Sequence, residues 1–277
     1  MKNFRKQGAA IHDFEAGVLN RAISATLECG IPVYLIKNNA IDITQIDFIF
    51  DAGAQFQQKK LIPHHCLPML REGSQHYRAS EIASILEHHA VYTESLMNRK
   101  TAGMGFYVQR KFTKQVLPVI ADFLFEATFP QHELDIFNKN MHQRMQIENE
   151  KVKVLAAKRM ATKMYGNTHP LGIEITPDDV LQVAAHDLQE FHRKHYHTHN
   201  CFMVLSGYYD DNLLVELNQL LSPHCKTGHS KPDAVEALPE PQPDTALEYI
   251  QKPGATQAAI RMGKIIAIDN IDEYHHL

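Results

Sequence analysis

The apolar residues of this chain switch between strand spacing and helix spacing several times from Pro32 to Leu205, and that succession constrains the fold more than any other feature. Pro32 to Lys37 reads PVYLIK, a short β-branched run, and Ile43 to Phe50 alternates as ITQIDFIF until Gly53 ends it. These are expected to be two antiparallel strands. Ser80 can cap a helix in which Ile82, Ile85 and Leu86 recur at helical spacing. Val91 to Ser95 and Ala102 to Val108 return to a strand pattern around a polar turn at Met97 to Lys100. Helical spacing then takes over. Val116, Val119, Ile120, Phe123 and Leu124 form one stripe ending near Phe129 and Pro130, and Glu133 to Glu150 continues as a polar helix with Leu134, Phe137, Met141 and Met145 on one face. Another helix is expected to run to Met164. Thr176 followed by Pro177 is an N-cap with proline at the first helical position; Leu188, Phe191 and His195 again sit at helical spacing, and Cys201 to Leu205 is the last strand. Strands, helices, strands, helices and a strand make an α+β fold, expected as an antiparallel sheet with helices packed on one side.

A chain of 277 residues has room for one complete domain and part of a second. The break is expected at Ser222 to Asp244, where Pro232, Pro239, Pro241 and Pro243 interleave with charged residues and glycine as an extended linker. Residues 1–221 then form the first domain, 222–245 the linker and 246–277 the beginning of an incomplete second domain, with strands at Ala246 to Gln251 and Ala258 to Ile268. With 44% apolar residues, 22% charged residues and a net charge of -4, the composition is that of a soluble globular protein, and no polybasic run invites nucleic acid or acidic lipid. Met1 to Asn20 lacks the continuous apolar stretch of a secretory signal, and nowhere do about 18 apolar residues run together as a membrane span would require. Cys29, Cys66, Cys201 and Cys225 stand apart with no Cys-x-x-Cys pair, which fits four reduced thiols and a cytoplasmic location.

One short segment bears on chemistry: His64-His65-Cys66-Leu67-Pro68. An inverted zinc motif, His-x-x-Glu-His, sets two imidazoles on one helical turn, with a glutamate between them that takes a proton from metal-bound water. Here Leu67 has no titratable group and cannot be that base. Pro68 offers no ligand atom and, inside a helix, removes a backbone hydrogen bond and clashes with the carbonyl one turn back, so a regular helical turn is not expected there. Only His64 remains a ligand type at its position.

Several landmarks resemble the insulinase/pitrilysin family of zinc peptidases in order and spacing. Gly30-Ile31-Pro32-Val33-Tyr34 is similar to its first strand, Asp51-Ala52-Gly53-Ala54 to the end of its second, and Met69-Leu70-Arg71-Glu72-Gly73-Ser74 to the tail of its metal helix. Phe129-Pro130 with Glu133-Leu134, then Tyr165-Gly166-Asn167-Thr168-His169-Pro170-Leu171-Gly172, then Phe191 to Tyr196 with Asn200 and Gly207, complete a collinear series over roughly two-thirds of the chain. By this resemblance Ile31 to Tyr208 is an N-terminal insulinase-like domain, and the motif belongs at His64 to Pro68. The third metal ligand of active relatives, a glutamate on the helix after Phe-Pro, falls at Arg144 or, one residue earlier, at Gln143. A guanidinium keeps its charge and has no lone pair to offer a metal.

The resemblance therefore implies a degenerate site at His64, Leu67, Pro68 and Arg144, with no catalytic residue and no bound zinc, although active relatives carry zinc. It implies a catalytically inactive homologue, similar to the non-catalytic partner subunits of processing-peptidase heterodimers. Such a chain would bind extended peptide by strand addition and pair with an active family subunit or with itself. Neither nucleic acid nor membrane is an expected partner. The alternatives are a zinc endopeptidase with displaced ligands, His64 with His65 and Glu148 or Glu150, and a purely structural scaffold subunit. Elsewhere, His195, His197 and His199 alternate in a way that can put three imidazoles on one face of an extended segment, while His195 also continues a helix stripe beside His192. Glu87-His88-His89 lies near a helix end, where histidine bonds terminal carbonyls, and Cys66 reads as a buried thiol.

Overall fold

The computed structural model describes residues 21–210, 212–225, 244 and 247–266. Six strands form one sheet: β1 (Ile23–Thr26), β2 (Pro32–Lys37), β3 (Ile43–Phe50), β4 (Tyr92–Met97), β5 (Ala102–Gln109) and β6 (Cys201–Gly207), in the spatial order β1-β2-β6-β3-β5-β4. β2 and β3 form where the sequence places them and run in opposite directions, but they do not pair. β6 arrives late in the chain and lies between them, parallel to β2 and antiparallel to β3. The sheet is therefore mixed, with one parallel pair where a purely antiparallel sheet was expected. The core explains the insertion: Met203 and Leu205 of β6, both fully buried, fill the row between Val33 and Leu35 on one side and Ile46 and Phe48 on the other.

Alternation decides which face the helices cover. Ile46, Phe48 and Phe50 of β3, Met104, Phe106 and Val108 of β5, and their neighbours on β2 and β6 are buried, while Tyr34, Gln45, Ile49, Tyr107, Phe202 and Val204 of the opposite face keep solvent contact. The buried face stacks aromatic edges on aromatic faces, Phe48 on Phe106 at 6.3 Å and Phe106 on Phe123 at 5.9 Å. Each such ring contributes about 2–3 kcal/mol of burial. Gly103 of β5 allows close strand approach, because a Cβ there would collide with the Phe48 carbonyl.

The covering helices are α1 (Ile62–Met69), α2 (Ala79–His88), α3 (Thr113–Phe125), α4 (Gln131–Asn149), α5 (Val152–Tyr165), α6 (Pro177–Val180), α7 (Ala185–His195) and α8 (Asn212–Leu221). α3 is the central one, with Val116, Ile120, Phe123 and Leu124 fully buried as its stripe predicts. α2 starts one residue before the expected cap: Arg78 occupies the cap position and its N–H donates to the Glu81 carboxylate at 2.8 Å, which leaves Ser80 inside the first turn. Thr176 caps α6 as its sequence indicates, accepting from the Asp179 N–H. Residues 247–266 form neither of the strands expected there. Among the described residues no strand lies beside them to complete a ladder, and Glu248 and Lys252 instead bond Arg159 of α5 and Glu150. Met1–Asn20 and most of the expected linker lie outside the described residues. No helix among the described residues is long and apolar enough to cross a membrane.

Candidate functional site

α1, which carries the altered motif, is formed and anchored at both ends. Ahead of it, the N–H groups of Gly53, Ala54 and Gln55 donate to the carbonyls of Lys100, Asn98 and Arg99 at 2.9–3.1 Å, tying the approach to the β4–β5 turn. Lys59 pairs with Asp187 at 2.7 Å and Lys60 with Asp179 at 2.9 Å, fastening the same segment to α7 and α6. Leu61 then turns the chain in the left-handed region, at φ 69°, and Pro63 sits in the first turn, where its missing N–H costs nothing. The helix continues through Pro68, contrary to the expectation of an irregular turn. Leu67, Met69 and Leu70 are all at most 2% exposed. Burying each is worth about 1.5–3 kcal/mol, and together this exceeds the roughly 3 kcal/mol that an interior proline costs.

The five motif positions point in different directions. His64 has an exposed edge, and the protein around it desolvates the ring enough to lower its pKa. His65 faces the core, where its Nδ1 donates to the Leu61 carbonyl at 3.1 Å and its ring meets Phe137 edge-on at 5.2 Å. Burial pushes its pKa down to about 4, against smaller opposing effects of the Leu61 carbonyl and the Asn138 side chain, so it is neutral at pH 7. Cys66 is fully buried, which raises its thiol pKa well above the ordinary range and keeps it from acting as a thiolate. Leu67, where the resemblance would put the base, is 2% exposed and belongs to the core.

α4 carries Gln143 and Arg144, to which the resemblance assigns the third ligand position. Its inward stripe is Leu134, Phe137, Asn138, Met141 and Met145, and Asn138 donates to the Val183 carbonyl at 3.2 Å. Gln143 and Arg144 lie on the solvent side, and neither they nor Met145 carries a carboxylate. Glu148 accepts from Lys151 at 2.5 Å, a bond that lowers its pKa, and Glu150 pairs with Lys252 at 2.8 Å. Among the described residues no three His, Cys, Asp or Glu side chains come together as a group able to hold a metal ion, so the displaced set of His64, His65 and Glu148 or Glu150 is not assembled. A donor set reduced to one imidazole, beside a leucine and a proline, does not fit a catalytic zinc centre.

The chain after this helix reaches a terminal strand: among the described residues β4 has a neighbouring strand only on its β5 side, and none takes up its outer N–H and C=O groups. Arg71, just after α1, donates to Thr93 Oγ1 of β4 at 2.8 Å and links the altered motif to that edge. On the open face beside it, Asp47 and Glu94 flank Gly105, with Tyr107 donating to Glu94 at 3.4 Å and Gln45 Nε2 donating to both Asp47 oxygens at 3.0–3.1 Å. Burial, with Glu94 adding to it, raises the Asp47 pKa. The signal for this group in the sequence was a carboxylate inside the apolar alternation of β3, which the register sets opposite Gly105 of β5.

The histidine-rich segment does not form the three-imidazole face that its spacing allows. His192 and His195 are buried on α7 and donate to the carbonyls of Leu124 and Asp51, both at 2.9 Å. His197 bonds the Lys194 carbonyl at 3.2 Å, after which Thr198–Asn200 turns as a short 3-10 helix and leaves His199 exposed. A break in extended geometry at this point destroys the alternation. His89 bonds the Ile85 carbonyl at 2.8 Å at the end of α2, as expected of a histidine there.

A mixed six-stranded sheet covered by helices, with α3, α4 and α5 following its β4–β5 hairpin, defines the architecture. Residues 33–176 match the insulinase family (peptidase family M16), and the chain belongs to that family. Among solved structures it is similar to the peptidase M16 inactive domain from Pseudomonas fluorescens, with a TM-score of 0.71, 18% identity, and coverage of 80% of this chain and 54% of that one. It is also similar to a protease from Helicobacter pylori (TM-score 0.66, 16% identity, 81% and 54% covered) and to an M16-like peptidase from Alicyclobacillus acidocaldarius (0.62, 16%, 74% and 50%). At these identities the likeness shows the fold. The chain spans about half the length of these structures. No curated protein matches it.

Proposed function

We propose that this chain is a catalytically silent insulinase-family subunit that takes up extended peptide along β4 and works beside an active family subunit or a second copy of itself. The observation that carries this reading is the pairing of an intact, anchored α1, whose base position is a buried leucine, with an open strand edge held to it through Arg71 and Thr93. Strand addition needs only main-chain groups at a free edge, so it survives loss of the metal chemistry. The partner role is supported by a run of exposed apolar side chains after the expected linker: Leu247, Tyr249, Ile260 and Met262 are each more than four-fifths exposed. In this reading residues 1–221 are the peptide-binding domain, 222–245 the linker and 246–277 the opening of a second domain, in a cytoplasmic protein whose thiols are kept reduced.

Hydrogen exchange with an unfolded peptide of mixed sequence tests the reading. Binding should slow exchange at the amides of Tyr92 to Met97 and leave the peptide intact. Chelator-sensitive cleavage of the peptide, or protection that spares β4, would overturn it.

A further inference from the structure

A cavity of about 390 Å³, lined by no residue of α1 or β4, lies where the end of α3 and the chain leaving it meet α7 and the short turn after α8. Hydrogen bonds to main-chain carbonyls fix its walls. The Gln75 N–H donates to the Glu126 carbonyl and the Thr128 N–H to the Gly73 carbonyl, both at 3.0 Å, so the loop before α2 holds the residues that follow α3. From α7, Gln189 Nε2 donates to the Thr128 carbonyl at 3.0 Å and His192 Nε2 to the Leu124 carbonyl at 2.9 Å. One wall is aromatic: the Phe125 ring, seated against Phe50 at 5.9 Å, stacks on His224 at 5.3 Å with 25° between the planes. Two opposite charges line this space without meeting. Glu126 accepts from His224 Nδ1 at 3.3 Å, while Arg193, exposed on α7, pairs with no carboxylate among the described residues.

We infer that this cavity is a binding site for a free α-amino acid, which sets its carboxylate on the Arg193 guanidinium and its ammonium group on the Glu126 carboxylate. The size agrees, because small-molecule sites begin at about 300 Å³. A guanidinium offers two parallel N–H donors that match both oxygens of a carboxylate. An ionised carboxylate has about four acceptor positions, so Glu126 can take an ammonium N–H while keeping its bond from His224. The charge pattern selects among ligands. A simple anion would bring its charge against Glu126 and a simple cation would bring its charge against Arg193, whereas a ligand carrying both charges answers both walls. The Phe125–His224 stack and Ala127 then give the ligand's side chain an apolar and aromatic surface to lie on. The site shares no residue with β4 or the altered motif, so it stands or falls separately from the peptide-binding reading.

The test is isothermal titration of the full chain at neutral pH with the standard L-amino acids, repeated for the tightest binder with its N-acetyl and its carboxamide derivatives. The expected result is saturable binding of at least one free amino acid, with affinity reduced about tenfold or more for each capped derivative and by a similar factor in Arg193→Gln and in Glu126→Gln. Each variant is first checked for native circular dichroism, and the capped ligands probe the same two charges on the unaltered protein should a variant not fold. Absence of saturable binding up to about 10 mM, a capped derivative that binds as tightly as the free amino acid, or affinity that a folded variant leaves unchanged would each overturn the inference.

Discussion

α1 and α4 carry the positions to which the resemblance assigns the metal motif, and the two helices differ sharply in burial. Six of the eight residues of α1 are buried, including Leu67 at the position of the base; of the nineteen in α4 only Leu134 and Asn138 are. Leu67, at the proposed position of the base, belongs to the hydrophobic core, whereas Arg144, at the proposed position of the third ligand, is a solvent-facing cation. The difference teaches that restoring the chemistry has unequal costs: it disturbs folding on one helix and is nearly free on the other.

The largest expected effect tests the first half of that contrast. Leu67→Glu removes a core side chain and buries a carboxylate in its place, and should destabilise the fold by about 4 kcal/mol in urea unfolding. A loss below about 1 kcal/mol would mean that this position is open to solvent and that the base could be restored at little cost.

The buried histidines give the next largest effect, and its sign follows from linkage. Burial holds His65 and His195 at about 4, below the ordinary 6.5. The unfolded chain takes up these protons first as pH falls, so the stability they permit is full above about 6.5 and is lost between there and about 4, by roughly 3 kcal/mol for each histidine. Unfolding free energy measured across that range should therefore drop with falling pH, and His65→Gln should remove about half of the drop. An unchanged pH dependence in that variant would place His65 outside the core.

Two smaller predictions sharpen the account of α4. Phe137→Ala, which strips the ring from the buried edge of His65, should cost about 2 kcal/mol, whereas Ile147→Ala, 64% exposed on the same helix, should cost less than about 0.5 kcal/mol. Arg144→Glu should be neutral within about 0.5 kcal/mol. A large loss there would reveal an ion pair or packing role for the guanidinium.

How much of this was legible in the sequence depends on how local the controlling forces are. The β4–β5 hairpin, the α3 stripe and the Thr176 cap were readable because each is settled within one turn or one short segment. The placement of β6 was not, because no local pattern in β2 or β3 records that a distant strand will come between them. The helical state of α1 was misjudged for a related reason: the cost of Pro68 is local, and the burial of Leu67, Met69 and Leu70 that outweighs it is tertiary. That Leu67 and Pro68 can serve as neither base nor metal ligand was readable, since their side chains lack the required atoms in any conformation. The strands expected after Ala246 failed because alternation supplies a face without supplying a partner strand. The Asp47–Glu94 group was only half readable: Asp47 stands out as a carboxylate inside the β3 alternation, but strand register is what sets it and Glu94 on either side of Gly105.

The most direct measurement is the zinc content of the purified, tag-free chain, taken alongside a Pro68→His, Arg144→Glu double variant that leaves the core residue Leu67 in place. The account predicts near-zero zinc in the parent and one bound zinc in the variant, with His64 and the two introduced side chains as ligands. Stoichiometric zinc in the parent would contradict it, because other ligands would then have taken over the lost positions and the chain would have to be read as a working metallopeptidase.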